Sequence, residues 1–396
     1  MQDTTEKITY LEGIRGVAAL LVFFHHFLLA FYSAYYSFDI TAVHLHNLEI
    51  SYGQSLFSVF TNGNFCVRIF FVLSGYVLSR KYFLSGAFSV IVSGAQRRFV
   101  RLYIPVAFVI ILAFVLMQCG LFMNVPVSSI THSDWWFERF WQMDHPVTNL
   151  FRSLTYSTMF FGDDSFDTCL RTMSTEFYGS MFVFAFLALT HSTRNRFTML
   201  VLSFLFCCYT REYLLSAFVF GISLNYVERH RDTLGKKLRT FLAVVLFVAA
   251  LLLGAYPPEV AVGTFYAALP QSVLACAEWF HIIGAFFLVL AFVLSATLQQ
   301  MISNRVFTFL GYISFSFYLL HPLVLGTFSS YIFLVLYGHT DYNTSVLLVF
   351  LLTTAVCLFL SWLMTKYVDE PGVKYARYLY DRWSKESVAA NRKAVK

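Results

Sequence analysis

Apolar runs long enough to cross a bilayer recur along the whole of this chain, and that recurrence restricts its fold more than any other feature. A helix needs roughly 20 apolar residues to span about 30 Å of hydrocarbon. Windows bounded by charged residues, Pro or Gly predict about ten spans, at 14–34, 57–79, 102–122, 172–190, 197–209, 211–227, 240–256, 276–297, 306–336 and 345–366. The fifth and sixth are short. Hydrophobic residues at 58%, charged residues at 13% and 46 Phe exclude a water-soluble surface. The expected fold is all-α, a polytopic transmembrane helical bundle.

Charge sets the expected orientation. With a cytoplasmic N-terminus, the inside segments collect Arg80, Lys81, Arg97, Arg98, Arg101, Arg194, Arg196, Arg229, Arg231, Lys236, Lys237, Arg239, Arg305 and the basic stretch from Lys366. The outside segments hold Arg139, Arg152, Arg171 and Arg211. The asymmetry predicts an even number of spans with both termini cytoplasmic. The polar stretch Met1 to Tyr10, followed by an apolar run containing Arg15 and two His, reads as a retained first helix and not as a cleaved signal. We partition the chain into a transmembrane domain, 1–371, and a basic cytoplasmic tail, 372–396. Seven scattered Cys without CxxC or Cys/His spacing predict neither a disulfide framework nor a metal site. No internal repeat or pair of Gly-broken spans of the transporter kind is present. The sequon Asn343-Thr344-Ser345 falls in the last predicted outside loop. The longest outside loop, 123–171, carries Trp135, Trp136 and Trp141, which suit either an interfacial lid or an ordinary headgroup anchor.

Ionisable side chains inside a bilayer are costly and usually face a cavity or a partner. Those within the predicted spans are Arg15, His25, His26, Arg68, Glu176, Glu278, His281 and His321. Arg15 and His26, eleven residues apart, share one helix face to within about 20°. His25 points elsewhere. Glu12 can pair with Arg15, which could equally snorkel to headgroups. Counting helical rise puts His26 roughly 18 Å and His321 roughly 22 Å from the cytoplasmic side, and Glu176 at a comparable or shallower outer depth. A neutral His there can take a hydroxyl proton, and a neighbouring group can orient it. Arg98 and Arg101, neighbours on a helix, suit the phosphates of a nucleotide-like ligand or form an ordinary positive-inside flank. Ser74 and Gly75 let a helix or a ligand approach closely.

Six segments, in order, resemble the acyltransferase 3 family over Tyr10 to Pro371. They are Leu11-Glu12-Gly13-Ile14-Arg15-Gly16 with His26, Phe70 to Tyr76, Arg97-Arg98-Phe99-Val100-Arg101 with Pro105, Thr172 to Ser180, Tyr312 to Pro322, and Asp369-Glu370-Pro371. The resemblance implies acetyl-CoA or another acyl-CoA as donor, Arg15 and His26 at the active site, and Arg98 and Arg101 near the CoA. Two departures stand out: the segment around Arg171 and Thr172 lacks a Trp frequent in relatives, and Arg68 stands where many relatives have an acidic residue, so both positions could tune the acceptor. The wording of the motifs resembles fungal members, which implies a eukaryotic membrane: endoplasmic reticulum, another endomembrane or the plasma membrane.

The expectation is therefore a membrane O-acyltransferase acting on a hydroxyl of a glycan, lipid or small hydrophobic metabolite. Its expected catalytic set is His26 as general base, Glu176 or His321 to orient it, and Arg15 or a backbone amide for the oxyanion. Its expected donor-binding set is Arg98, Arg101, Ser74, Gly75 and Arg68. A proton-coupled transporter and a non-catalytic sensor or scaffold are the alternative classes. No metal and no nucleic acid are expected as partners.

Overall fold

The computed structural model describes residues 8–257, 264–274 and 276–394, and no strand occurs among the described residues. Each of the ten apolar windows falls mainly on one helix: α1 (Thr9–Phe31), α2 (Gly63–Ser85), α3 (Phe88–Gln118), α4 (Arg171–Leu189), α5 (Arg196–Thr210), α6 (Tyr213–His230), α7 (Lys236–Gly254), α8 (Glu278–Leu294), α9 (Arg305–Val324) and α10 (Tyr342–Met364), the ninth window running on past α9 through a π-helical turn, Leu325–Ser329, into the helix Ser330–Tyr337. Six helical segments among the described residues are long and apolar enough to cross a membrane, and a seventh is gained if α8 and the short helix Ala296–Ile302, bent by 101°, count together. The remaining windows fall short for physical reasons. Helix α2 carries Arg68, Arg80 and Lys81, and α5 has 15 residues.

Two close crossings order the bundle. Helices α1 and α9 share the most extensive helix–helix contact, because Gly16 and Gly311 let the backbones meet. A Cβ on Gly16 would come within 2.6 Å of the Gly311 nitrogen, and one on Gly311 within 2.2 Å of the Glu12 carbonyl oxygen. Helices α2 and α6 cross in the same way, Gly221 against the Val72 carbonyl and Gly75 against that of Phe218. Small residues at such crossings replace the hydrophobic drive that lipid cannot supply.

The two ends of the bundle differ. One, the basic end, gathers the start of α1, the end of α2 and the start of α3 with Arg80, Arg97, Arg98 and Arg101. The other, the aromatic end, is capped by the connections 32–62 and 119–170. Helix α10 does not stop at its window: a π-helical turn, Thr365–Asp369, joins it to α11 (Glu370–Ala394). The segment expected as a separate tail from 372 is thus helical, and it packs along α3 with Ala376 buried. Asn343 lies in the first turn of α10, where its amide nitrogen donates to the His44 carbonyl (3.4 Å) and its Oδ1 accepts from Tyr32 (2.9 Å). The nitrogen a glycan would occupy is turned inward, so the sequon is not an open site in the folded chain.

Candidate active site

The Gly16–Gly311 crossing sets up the site. Ten residues beyond it on each of the two helices stand His26 and His321, and there the imidazoles meet: His26 Nδ1 lies 2.7 Å from His321 Nε2. The other nitrogen of His321, Nδ1, is 2.9 Å from the Phe317 carbonyl oxygen. A carbonyl can only accept, so His321 carries its proton on Nδ1 and offers a lone pair at Nε2. His26 must then donate from Nδ1, which leaves its own Nε2 unprotonated. The sequence Phe317 carbonyl, His321, His26 is a relay that ends in a basic nitrogen. Within it, His321 rather than Glu176 is the partner of His26.

The loop at the aromatic end closes over this pair. Trp136 stacks on His26 with ring centroids 5.2 Å apart at 27°. Trp136 is held there by its neighbours: Ser133 Oγ donates to the Leu29 carbonyl (2.6 Å) and Asn124 to the carbonyls of Phe137 (2.8 Å) and Phe140 (3.2 Å). Trp141 stacks on Phe122 at 4.2 Å and donates from Nε1 to the Phe166 carbonyl (2.8 Å). Of the three loop tryptophans only Trp135 is exposed, so the headgroup-anchor reading does not describe Trp136 or Trp141.

Tyr318 and Cys169 also border His321. Tyr318 bonds Thr172 through the two hydroxyls at 2.9 Å, and Cys169 Sγ is 4.0 Å from His321 Nε2. His26, Cys169 and His321 place three potential ligand atoms within 4.8 Å of one another. Two nitrogens on one tetrahedral zinc stand about 3.3 Å apart, however, and here they are hydrogen-bonded at 2.7 Å. The geometry is that of a proton relay. Trp136 lies in the loop that the sequence offered as a lid, whereas Tyr318 and Cys169 were not singled out as site residues; the one signal available for the meeting of the two His was the paired ten-residue interval from the two glycines.

Arg15 does not join this site. Eleven residues of helical rise, roughly 16 Å, separate it from His26. Arg15 pairs with Glu12 (3.1 Å) and lies in the electrostatic field of Arg98, Arg101 and Glu176. Glu176 also belongs to this second cluster. It forms an ion pair with Arg98, accepts from Ser74 Oγ at 2.5 Å, and leaves Arg98 Nε to donate to Ser180 Oγ at 2.8 Å. A carboxylate buried beside a guanidinium and a hydroxyl has its strongest donors there, which is why depth along the helix misplaced it. Arg98 is buried and Arg101 exposed. Asp369 on the π-turn acts on Arg101, and Tyr312 donates to Glu370 at 3.2 Å.

The remaining candidates have their principal contacts elsewhere, although the His25 ring lies 5.3 Å from that of His26. Gly75 serves the α2–α6 crossing. His25 takes part in a bond to the Thr61 carbonyl (2.9 Å) and another to Tyr35 (2.6 Å), and His281 contacts Asn62 (3.1 Å) and the Tyr256 carbonyl (3.0 Å). Arg68 points away from Arg98, back toward Asn64 at the start of α2.

Comparison with known proteins joins this geometry to a family. A family described as an acyltransferase domain matches residues 8–365. The chain belongs to the acyltransferase 3 family. Among curated proteins, an O-acetyltransferase, PaAT-1 of Phomopsis amygdali, is 26% identical over 94% of this chain and 84% of its own length. No solved structure matches. The matched region contains both clusters and stops at Thr365, before Asp369 and α11.

Proposed function

We propose that this acyltransferase moves an acyl group, acetyl in the simplest case, from acyl-CoA to a hydroxyl, with His26 as general base. The observation that carries the reading is the tautomer chain from the Phe317 carbonyl through His321. As the acceptor oxygen attacks the thioester carbonyl carbon, its proton passes to His26 Nε2. The tetrahedral intermediate collapses with cleavage of the carbon–sulfur bond, and the CoA sulfur takes the proton from His26, giving the ester and CoA-SH. No acyl-enzyme is needed. The imidazolium that forms is stabilised by its bond to His321 and by the face of Trp136.

In this proposal the basic end is cytoplasmic, the ten helices span the bilayer and both termini lie inside, which the excess of Arg and Lys at that end supports. Residues 1–371 then form the catalytic domain. The CoA phosphates dock on Arg101, with Arg15 beside it, because Arg98 is already committed to Glu176. The pantetheine arm carries the thioester inward from there to His26. Isotope-labelled acetyl-CoA offered to the protein in nanodiscs with pooled hydroxylated acceptors tests the reading. Label recovered as a base-labile ester in the wild type and absent in His26→Ala supports it. Equal labelling in both discards His26 as the base.

A further inference from the structure

Arg68 is a largely buried cation that no anion meets among the described residues. Side chains on a helix lean toward its N-terminus, and Arg68 does so: Nη1 donates to the backbone carbonyl (3.1 Å) and Oδ1 (3.2 Å) of Asn64, one turn back. This lifts the guanidinium to the aromatic end. Asn64 in turn donates to the Tyr36 hydroxyl (3.4 Å), and Tyr36 lies edge-on to His25 (5.4 Å) and stacked on Trp135 (5.9 Å). On another side stands Tyr318, whose ring neighbours His321 at 6.3 Å. The guanidinium therefore shares an aromatic neighbour, Tyr318, with the relay. Its Nε is buried with no hydrogen-bond partner among the described residues. No carboxylate among the described residues lies within ion-pair distance of it: Glu278 and His281 act on it from farther off. A guanidinium held so deep is costly unless an anion meets it, and its free edge is the part that grips a carboxylate side-on.

We propose that Arg68 is the anion-binding subsite for the acceptor, and that the acceptor is a hydroxylated carboxylate whose acid group docks on Arg68 while its hydroxyl faces His26 Nε2. The aromatic walls, Trp135, Trp136, Tyr36 and Tyr318, take the apolar body between the two groups. The proposal rests on the acyltransferase reading of the His26 site.

The test uses matched pairs of acceptor probes, each a free acid and its methyl ester: a hydroxy fatty acid, a hydroxylated sterol acid, a hydroxylated diterpene acid and a uronic acid. Two readouts are taken on the full-length protein in nanodiscs, acetyl-CoA-dependent CoA release and the shift in melting temperature on adding each probe. At least one acid is expected to exceed its ester by roughly tenfold or more in kcat/KM and to stabilise the protein more. Arg68→Gln should erase that preference and Arg68→Lys retain part of it. Acids and esters that behave alike in both readouts, or an Arg68→Gln loss equal for acid and ester, overturn the subsite; the latter outcome would assign Arg68 to the transition state or to folding. An acid-specific melting shift that needs Arg68 but comes without CoA release from any probe would keep the subsite and count against the acyltransferase reading.

Discussion

The two polar clusters inside this bundle solve the problem of burial in opposite ways. At the basic end full charges are neutralised pairwise, Arg98 with Glu176 inside the bundle and Arg15 with Glu12 in a half-buried pair. At the aromatic end two neutral imidazoles are joined to each other and to a backbone carbonyl, and no carboxylate among the described residues bonds to either ring. The first arrangement resists any change of protonation, since each charge fixes its partner. The second leaves one basic nitrogen that can gain and release a proton without stranding a buried ion. In the proposed reading, this contrast places the proton transfer at the aromatic end and the binding of the CoA phosphates at the basic end.

The largest effect that could break this division is at His26. His26→Ala should lower kcat by about a thousandfold, in the range of a lost general base, with the KM for acyl-CoA little altered. His321→Ala should cost about a hundredfold, because Nδ1 of His26 then loses the acceptor that fixes its tautomer. Steady-state CoA release measures both. If instead the two variants raised KM and spared kcat, the aromatic end would be a binding site and the contrast would fail.

The next effect concerns stability. Glu176→Ala strands Arg98 inside the bundle and should destabilise by about 3–5 kcal/mol, read as a lower melting temperature. Replacing both members, Arg98→Met with Glu176→Leu, should recover most of that loss. A double variant as unstable as the single would mean that the pair is not acting as a neutral unit.

Arg101 sharpens the comparison in the other direction. Arg101→Ala should raise the KM for acyl-CoA roughly tenfold, the size of one charge-assisted contact, and by much more than it lowers kcat. A fall confined to kcat would move Arg101 out of the binding end.

The smallest effect lies in the loop that carries the site's roof. Burial pushes the Asp163 carboxyl up, but bonds from Ser157, from the hydroxyl and amide of Ser165 and from Ser153 outweigh it and hold it below the usual carboxylate range. A carboxylate lowered in the folded state stabilises above its unfolded value, and that stabilisation is lost as pH falls through the lower, folded value. The contribution is roughly 1 kcal/mol after solvent screening. Limited proteolysis of 146–170 should therefore accelerate on acidification below about pH 4, and Asp163→Asn should be cut faster at neutral pH with a flatter pH response.

Much of this architecture is legible in the sequence, because hydropathy reports burial and each apolar window fell mainly on a helix. It is blind to what the polar residues beside a window do. Thr9 to Gly13 extend α1 beyond the window start at 14, and the window from 57 begins in a separate 3-10 turn, Leu56–Thr61, before Asn62 caps α2 at the Phe65 amide (3.0 Å). The site was half legible for a related reason. Depth along a helix placed His26 and His321 at similar levels, yet depth has no azimuth, so it could not separate His321 from Glu176. That choice is made by the Gly16–Gly311 contact, which turns one His toward the other. The loop was named as a possible lid with Trp136 in it, but which Trp would stack on His26 was beyond reach, because that depends on how a long loop folds back on α1.

The most direct test of the central claim is acyl-CoA-dependent CoA release by the purified protein and by His26→Ala, compared at equal melting temperature and with acyl-CoA binding measured in parallel. The account predicts acceptor-dependent release in the wild type, and a variant that still binds acyl-CoA but releases essentially no CoA. A folded His26→Ala variant turning over at the wild-type rate would contradict it.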